Sequence, residues 1–282
     1  MAIISGSDFT LDDIARIDPR QASSVYGPVK SWRVGRSLGI DLLLLNSICS
    51  FNCVYCQLGD IQVRTNDRRV FVPTDKVLED LRQAPWQDCD IVTFSGNGEP
   101  TLAANLGEAV KAAKDLTGKP VLVLTNGSLL DDPQVRRDLC FADRVFVKLD
   151  AASADVFRRF NRPVEGVRLS QIVEGAQALR SEFSGYLGVQ IMFLPPNLEE
   201  AEAMIPLLRR IRPDEVQVNT PTRPHPREWR LKNRSGRRAD PCNKVLKPLP
   251  VEQLEDISRR FRQATGLQVV SVYDRLAEEG RE

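Results

Sequence analysis

The sequence predicts an α/β protein built on parallel strands. Short apolar runs alternate with amphipathic stretches, and the order reads strand–helix–strand–helix. Most strand candidates are bounded by Gly, Pro, Asn or Asp, as buried strands are. Connections of this kind are right-handed and leave the strands parallel. An open doubly wound sheet and a partial TIM-type barrel both satisfy the pattern. In either, ligands gather at the carboxyl ends of the strands.

The strands are expected at Ile40–Leu45, Asp90–Ser95, Pro120–Thr125, Arg144–Leu149, Leu187–Phe193 and Glu215–Asn219. Helical stripes fall between them. Val77, Leu78, Leu81 and Ala84 share a face after the expected cap Thr74, and Leu169, Ile172, Val173, Ala176 and Leu179 share another. Ala203, Leu207 and Leu208 form part of a third stripe, which Pro206 is expected to kink or interrupt. Residues 1–38 read as an N-terminal extension, 39–221 as the core, and 222–282 as a basic loop followed by a helix and strand that dock on the core. That helix carries Val251, Leu254, Ile257 and Phe261 on one face, and the strand is expected at Leu267–Tyr273.

Composition narrows the function classes. Hydrophobic residues make up 42% of the 282 residues and charged residues 27%, as in an ordinary globule. No stretch approaches a bilayer span and the N-terminus does not read as a signal peptide, so a cytoplasmic protein without membrane contact is expected. The formal charge of +1 does not indicate a strongly basic nucleic-acid binder. The single histidine, His225, excludes metal sites with two or three His ligands and reads as a loop residue. Cys89, Cys140 and Cys242 follow no metal spacing.

Chemistry concentrates directly after the first expected strand. Cys49, Cys53 and Cys56 close the run NSICSFNCVYCQLG with the spacing C-x3-C-x2-C. Three thiolates this near in sequence can hold three corners of an iron–sulfur cubane and leave the fourth iron open to a small molecule. A zinc ribbon would need a second half-site, which the chain lacks. A dithiol redox pair at Cys53 and Cys56 would leave Cys49 without a role.

This run, with Tyr55 before the last cysteine, resembles the radical S-adenosylmethionine (SAM) superfamily. The resemblance implies a partial (βα)6 TIM-type barrel of parallel strands, with N- and C-terminal extensions. It implies a [4Fe–4S] cluster on the three cysteines and SAM chelated to the fourth iron. An electron from the reduced cluster would split SAM to a 5′-deoxyadenosyl radical that abstracts hydrogen from a substrate. Tyr55 would lie near the adenine. Ser95-Gly96-Asn97-Gly98-Glu99-Pro100, after the second strand, resembles the superfamily's Gly-Gly-Glu element, which binds the amino group of SAM. Asn97 stands where many relatives have Gly.

Further polar residues mark the strand ends. Asn126 follows the third strand. Lys148 and Asp150, two apart at the fourth, point to the same side and either satisfy each other or meet a ligand. Gln190 and Asn219 lie near the ends of the fifth and sixth strands. The motif order from YGPVKSW through FNRP to VNTPTRPHP resembles a branch of small radical SAM proteins grouped with the wyosine-base (tRNA) synthases. No cysteine precedes Cys49, so the second cluster of those synthases has no ligands here.

Thr222 to Arg238 carries Arg223, Arg227, Arg230, Lys232, Arg234, Arg237 and Arg238 against Glu228 alone, with Trp229 among them. The run is either a solvated loop closing the barrel mouth or a surface for an anionic ligand. The reading is a radical SAM enzyme, served by an electron donor such as flavodoxin or ferredoxin. Its substrate is unassigned among a tRNA, a protein or peptide and a small molecule. The alternatives are base modification in tRNA of the wyosine-synthase type, and a non-catalytic iron–sulfur electron carrier.

Overall fold

A computed structural model describes residue 11 and residues 18–44, 46–222, 225–227, 243–244 and 246–274. Its centre is one eight-stranded sheet. The strands are β1 (Val25–Ser31), β2 (Gly35–Ile40), β3 (Ile91–Phe94), β4 (Val121–Thr125), β5 (Arg144–Lys148), β6 (Tyr186–Met192), β7 (Glu215–Asn219) and β8 (Gln268–Ser271). Their order in the sheet follows the chain. β1 runs antiparallel to β2, and every later pairing is parallel. The six strands β2–β7, with helices between β2 and β7, form the partial barrel. β1 and β8 extend its two edges.

The helices are α1 (Thr74–Gln83), α2 (Leu106–Thr117), α3 (Pro133–Leu139), α4 (Ala154–Phe160), α5 (Leu169–Glu182), α6 (Ala201–Ile211) and α7 (Val251–Thr265). They bury one stripe each against the outer sheet face. Along α5 the stripe is Leu169, Ile172, Val173, Ala176 and Leu179, as the periodicity predicts. Alternate strand residues divide between two apolar clusters. Val92, Val123, Val145 and Val147 join the helices, while Ile91, Leu122 and Phe146 form a small plug inside the barrel. None of the described helices is long and apolar enough to cross a membrane.

Several expectations are corrected. The first parallel strand is Gly35–Ile40, not Ile40–Leu45. Asp41 ends it, because its Oδ1 accepts from the N–H groups of Leu43 (3.0 Å) and Leu44 (3.2 Å) and turns the chain. Leu42, Leu43 and Leu44 are buried, but as a loop packed under the barrel mouth. The boundary expected at residue 39 falls inside this strand. Gly39 is needed in it because the Tyr26 ring crosses there, 2.2 Å from where a Cβ would stand. Thr74 is the first residue of α1, and Pro73 occupies the cap position. On α6 the buried stripe is Ala201, Met204, Ile205, Leu208 and Ile211, and Ala203 is exposed. That helix runs on through Pro206. Pro206 falls within its first two turns, where the one bond it removes is the bond onto Glu202. Val251 is exposed, while Leu254, Ile257 and Phe261 are buried.

Candidate active site

The cysteine loop lies across the carboxyl ends of β3, β4 and β5. Its first residues, Ile48–Cys49, pair in parallel with Val63–Arg64. They also join the glycine-rich loop after β3. Ile48 N–H donates to the Asn97 carbonyl (2.8 Å), and Glu99 N–H donates to the Ile48 carbonyl (3.0 Å). Gly98 makes this junction possible. A Cβ there would lie 1.6 Å from the Ile48 carbonyl oxygen, and φ is +152°. Gly96 (φ +131°) leaves room for the Asp41 carboxylate, 2.5 Å from a Cβ position. The two sequence motifs are thus one continuous backbone structure.

The other side of the loop rests on the segment after α4. Asn52 N–H donates to the carbonyls of Asn161 (3.0 Å) and Arg162 (3.2 Å), and Val54 N–H to that of Phe160 (3.0 Å). Val164 N–H donates back to the Ser50 carbonyl (2.8 Å). Phe51 packs edge-on against Phe157 at 5.4 Å. Tyr55 packs against Phe160 at 5.3 Å.

Two buried carboxylates flank the loop, each saturated with donors. Glu99 accepts from Thr101 N–H (3.1 Å), Thr101 Oγ1 (2.7 Å), Thr125 Oγ1 (2.7 Å) and Asn126 N–H (2.6 Å). Burial raises its pKa, and these donors oppose the rise. Asp150 accepts from the Tyr55 hydroxyl, Lys148 Nζ (2.9 Å), Asn161 Nδ2 (2.8 Å) and Met192 N–H (2.8 Å). The Lys148 ammonium stands over the Tyr55 ring at 5.1 Å. Burial, then the Asp150 carboxylate, pushes the Tyr55 phenol well up, so it remains a donor.

Each carboxylate also positions an asparagine against a cysteine. Asn126 Nδ2 lies 3.5 Å from Cys49 Sγ and 2.9 Å from Ser50 Oγ. Asn161 Nδ2 lies 3.5 Å from Cys53 Sγ. Phe51 N–H adds a third sulfur contact, 3.4 Å from Cys49 Sγ. Donors to sulfur are what an iron–sulfur cluster uses to hold and tune its ligands. Burial, then the Glu99 carboxylate, pushes the Cys49 thiol well up. Burial, then the Asp150 carboxylate and Cys56, pushes Cys53 up to about 12. A positive metal centre beside these sulfurs would oppose the effect of burial and favour the thiolates. Among the described residues no three His, Cys, Asp or Glu side chains converge as a single-ion site requires.

The remaining predicted residues divide. Ser95 Oγ meets the Tyr26 hydroxyl at 2.8 Å. Asn97 is fully buried, with its N–H on Asp41 Oδ2 (3.2 Å), its Nδ2 on the Leu44 carbonyl and its Oδ1 without a partner. It therefore stiffens the loop where a Gly would leave it free. Gln190 Nε2 donates to Gln217 Oε1 (2.8 Å), which also accepts from Arg33 Nε (3.2 Å). This makes a polar row level with Lys148 across the sheet and ties the β1–β2 turn to β7. Asn219 stands apart, accepting from Thr220 N–H (2.9 Å). Of the basic run, Arg227 is described, and Arg223, Arg230, Lys232, Arg234, Arg237, Arg238, Trp229 and Cys242 lie outside the described residues.

Three site residues escaped the sequence reading. Asp41 hides in an apolar run, where a lone carboxylate is the available signal. Asn161 lies in the FNRP run, which does not by itself assign it a role at the cysteines. Tyr26 reaches Ser95 because the β1–β2 hairpin folds it over Gly39.

The Radical SAM superfamily model matches residues 43–208, more than half of the chain. The chain belongs to the radical SAM superfamily. A UPF0026 protein of Synechocystis sp. is 47% identical over 252 residues, spanning 87% of this radical SAM chain and 95% of that protein. A UPF0026 protein of Methanocaldococcus jannaschii is 30% identical over 264 residues, 91% of this chain and 76% of that protein. In fold, the structure of TYW1 with a lysine-pyruvate adduct bound matches with a TM-score of 0.58 at 15% identity. It covers 82% of this chain and 75% of that one. This radical SAM protein is an enzyme, and its cofactors are a [4Fe–4S] cluster and SAM.

Proposed function

We propose that the chain cleaves SAM reductively and directs the chemistry at a polar substrate over the carboxyl ends of β5, β6 and β7. When bound, the cluster and SAM together supply a 5′-deoxyadenosyl radical able to abstract hydrogen. The chain's own residues bind, orient and enclose. Cys49, Cys53 and Cys56 would hold three irons. The loop Ser95–Glu99 would offer the SAM amino group its backbone carbonyls, the Glu99 carboxylate already having four donors. Tyr55 would wall the adenine side, and Asn126 braces Cys49. Lys148, Gln190 and Asn219 would face the substrate, with Asp150 fixing Lys148.

One observation carries the reading. The cysteine loop is stapled to the glycine loop, and no further described cysteine lies with it. Cys89 Sγ turns to the Pro85 carbonyl (3.5 Å) and Cys140 Sγ to the Glu182 carbonyl (3.7 Å). An electron carrier would want a fourth sulfur. The test is anaerobic reconstitution, reduction with dithionite and addition of SAM. Release of 5′-deoxyadenosine by the wild type and by Cys242→Ala, but not by Cys56→Ala, is expected. Loss of iron in Cys242→Ala would make Cys242 a fourth anchor and overturn the proposal.

A further inference from the structure

The outer side of the cysteine loop carries charge that the chemistry above does not use. Three segments wrap that loop. Residues 57–69 pair with its first strand through Val63 N–H to the Ser47 carbonyl (3.0 Å) and Thr65 N–H to the Cys49 carbonyl (3.2 Å). Residues 155–168 receive Asn52 and Val54, as described above. Residues 225–227 meet its end, where Asp60 N–H donates to the Arg227 carbonyl (3.2 Å). Together they hold eight arginines against four carboxylates (Asp60, Asp67, Asp155 and Glu165), and Arg68 is turned inward onto Asp138 (2.7 Å). The remaining excess of three contrasts with +1 for the whole chain.

Arg64, Arg159, Arg162 and Arg227 on these segments are exposed. Arg64 donates from Nη2 to the carbonyls of Arg162 and Pro163 (both 3.1 Å), so its charge meets no anion there. Arg162 is exposed, and its backbone is fixed at φ +48° under Asn52. Arg227 is exposed beside Asp60. Among the described residues neither Arg162 nor Arg227 pairs with a carboxylate. Arg158 and Arg159 share the single Asp155. The backbone carbonyls of Arg162 and Arg227 accept from Asn52, one residue before Cys53, and from Asp60, four residues after Cys56.

We infer that this face, centred on Arg64, Arg159, Arg162 and Arg227, is the docking surface for an acidic one-electron donor protein. The inference rests on the function proposed above. One electron leaves the donor's reduced flavin or iron–sulfur centre and enters the cluster, so the donor is oxidised by one equivalent and the cluster reduced by one. Exposed charge of this kind steers association and sets its rate, and salt screens it. An RNA partner is disfavoured because RNA affinity leans on neutralising many phosphates, and the chain is near neutral.

The test uses the full chain, reconstituted with iron and sulfide, and a bacterial flavodoxin photoreduced to its hydroquinone. Bleaching of the cluster absorbance is followed by stopped flow for the wild type and for R159E/R162E/R227E. The expected result is a wild-type rate that falls severalfold between 50 and 200 mM salt, on the order of the screening of a few charge pairs. The variant should be about tenfold slower at low salt and insensitive to salt. Its iron content, and its 5′-deoxyadenosine yield with dithionite, should match the wild type, since a small reductant needs no docking face. Equal flavodoxin rates for wild type and variant overturn the inference. So does a variant that loses RNA binding in a gel shift while its flavodoxin rate holds. If dithionite yields no 5′-deoxyadenosine from either protein, the proposed function fails, while the bleaching rates still decide the docking face.

Discussion

Gly98→Ala tests whether the two motifs are one structure. The added methyl would lie 1.6 Å from the Ile48 carbonyl oxygen, 2.5 Å from its carbon and 2.9 Å from Leu43 Cδ1. Two of these atoms are backbone, so no side-chain rotation relieves the clash. The loops must part, which breaks the Ile48–Asn97 and Glu99–Ile48 hydrogen bonds. Each buried group left unpaired costs about 1–3 kcal/mol, and an alanine at this φ adds about 1–3 kcal/mol of strain. With one unpaired group per broken bond the sum is about 3–9 kcal/mol, which at about 2 °C per kcal/mol in a chain of this size lowers Tm by roughly 6–18 °C. Gly166→Ala is the control. It too has positive φ (+85°), but a Cβ there meets nothing within 4 Å. It should cost only about 1–2 kcal/mol of backbone strain. Thermal unfolding of the metal-free chains and iron bound after reconstitution are the readouts. Gly98→Ala should melt far below Gly166→Ala and retain little iron. If the two variants melt together and bind iron alike, the close-approach argument is wrong.

Two further outcomes are expected. Glu99→Gln turns an amide N–H toward donors whichever way the side chain sits, because Oε1 receives three donors and Oε2 one. It should destabilise the metal-free chain by about 1–3 kcal/mol, read by denaturant unfolding, and an unchanged midpoint would refute the role given to this carboxylate. Asn161→Leu removes the donor 3.5 Å from Cys53 Sγ. Losing a contact of about 1 kcal/mol that favours the more negative, reduced cluster should lower its midpoint potential by about 40 mV. An EPR-monitored redox titration that finds no shift would remove Asn161 from the cluster environment.

The sequence made the parallel strands from Asp90 onward legible because Val, Ile and Leu runs sit between clear turn residues. The cysteine spacing and the glycine loop were legible because both are local. The first strand was misplaced for an equally physical reason. Gly35, Ser37 and Gly39 have low strand propensity, and they are used because Tyr26 crosses Gly39 and Ser37 Oγ meets Thr93 Oγ1 at 2.7 Å. The apolar run that follows looks more like a strand, but Asp41 turns it into a loop. Asn161 lies in the FNRP run and Tyr26 in YGPVKSW, but their places at the site were illegible because tertiary contacts bring them in from distant parts of the chain. The self-pairing of Lys148 with Asp150 was foreseen as one of two outcomes. The four-donor saturation of Asp150 draws on Tyr55, Asn161 and Met192, residues up to 95 positions away.

The central claim is an iron–sulfur cluster gripped by three sulfurs, with its last iron open to SAM. EPR of the dithionite-reduced, reconstituted protein, recorded with and without SAM, tests it most directly. The account predicts about four irons per chain and a signal whose g values shift when SAM is added. A full cluster whose spectrum is identical with and without saturating SAM would contradict it.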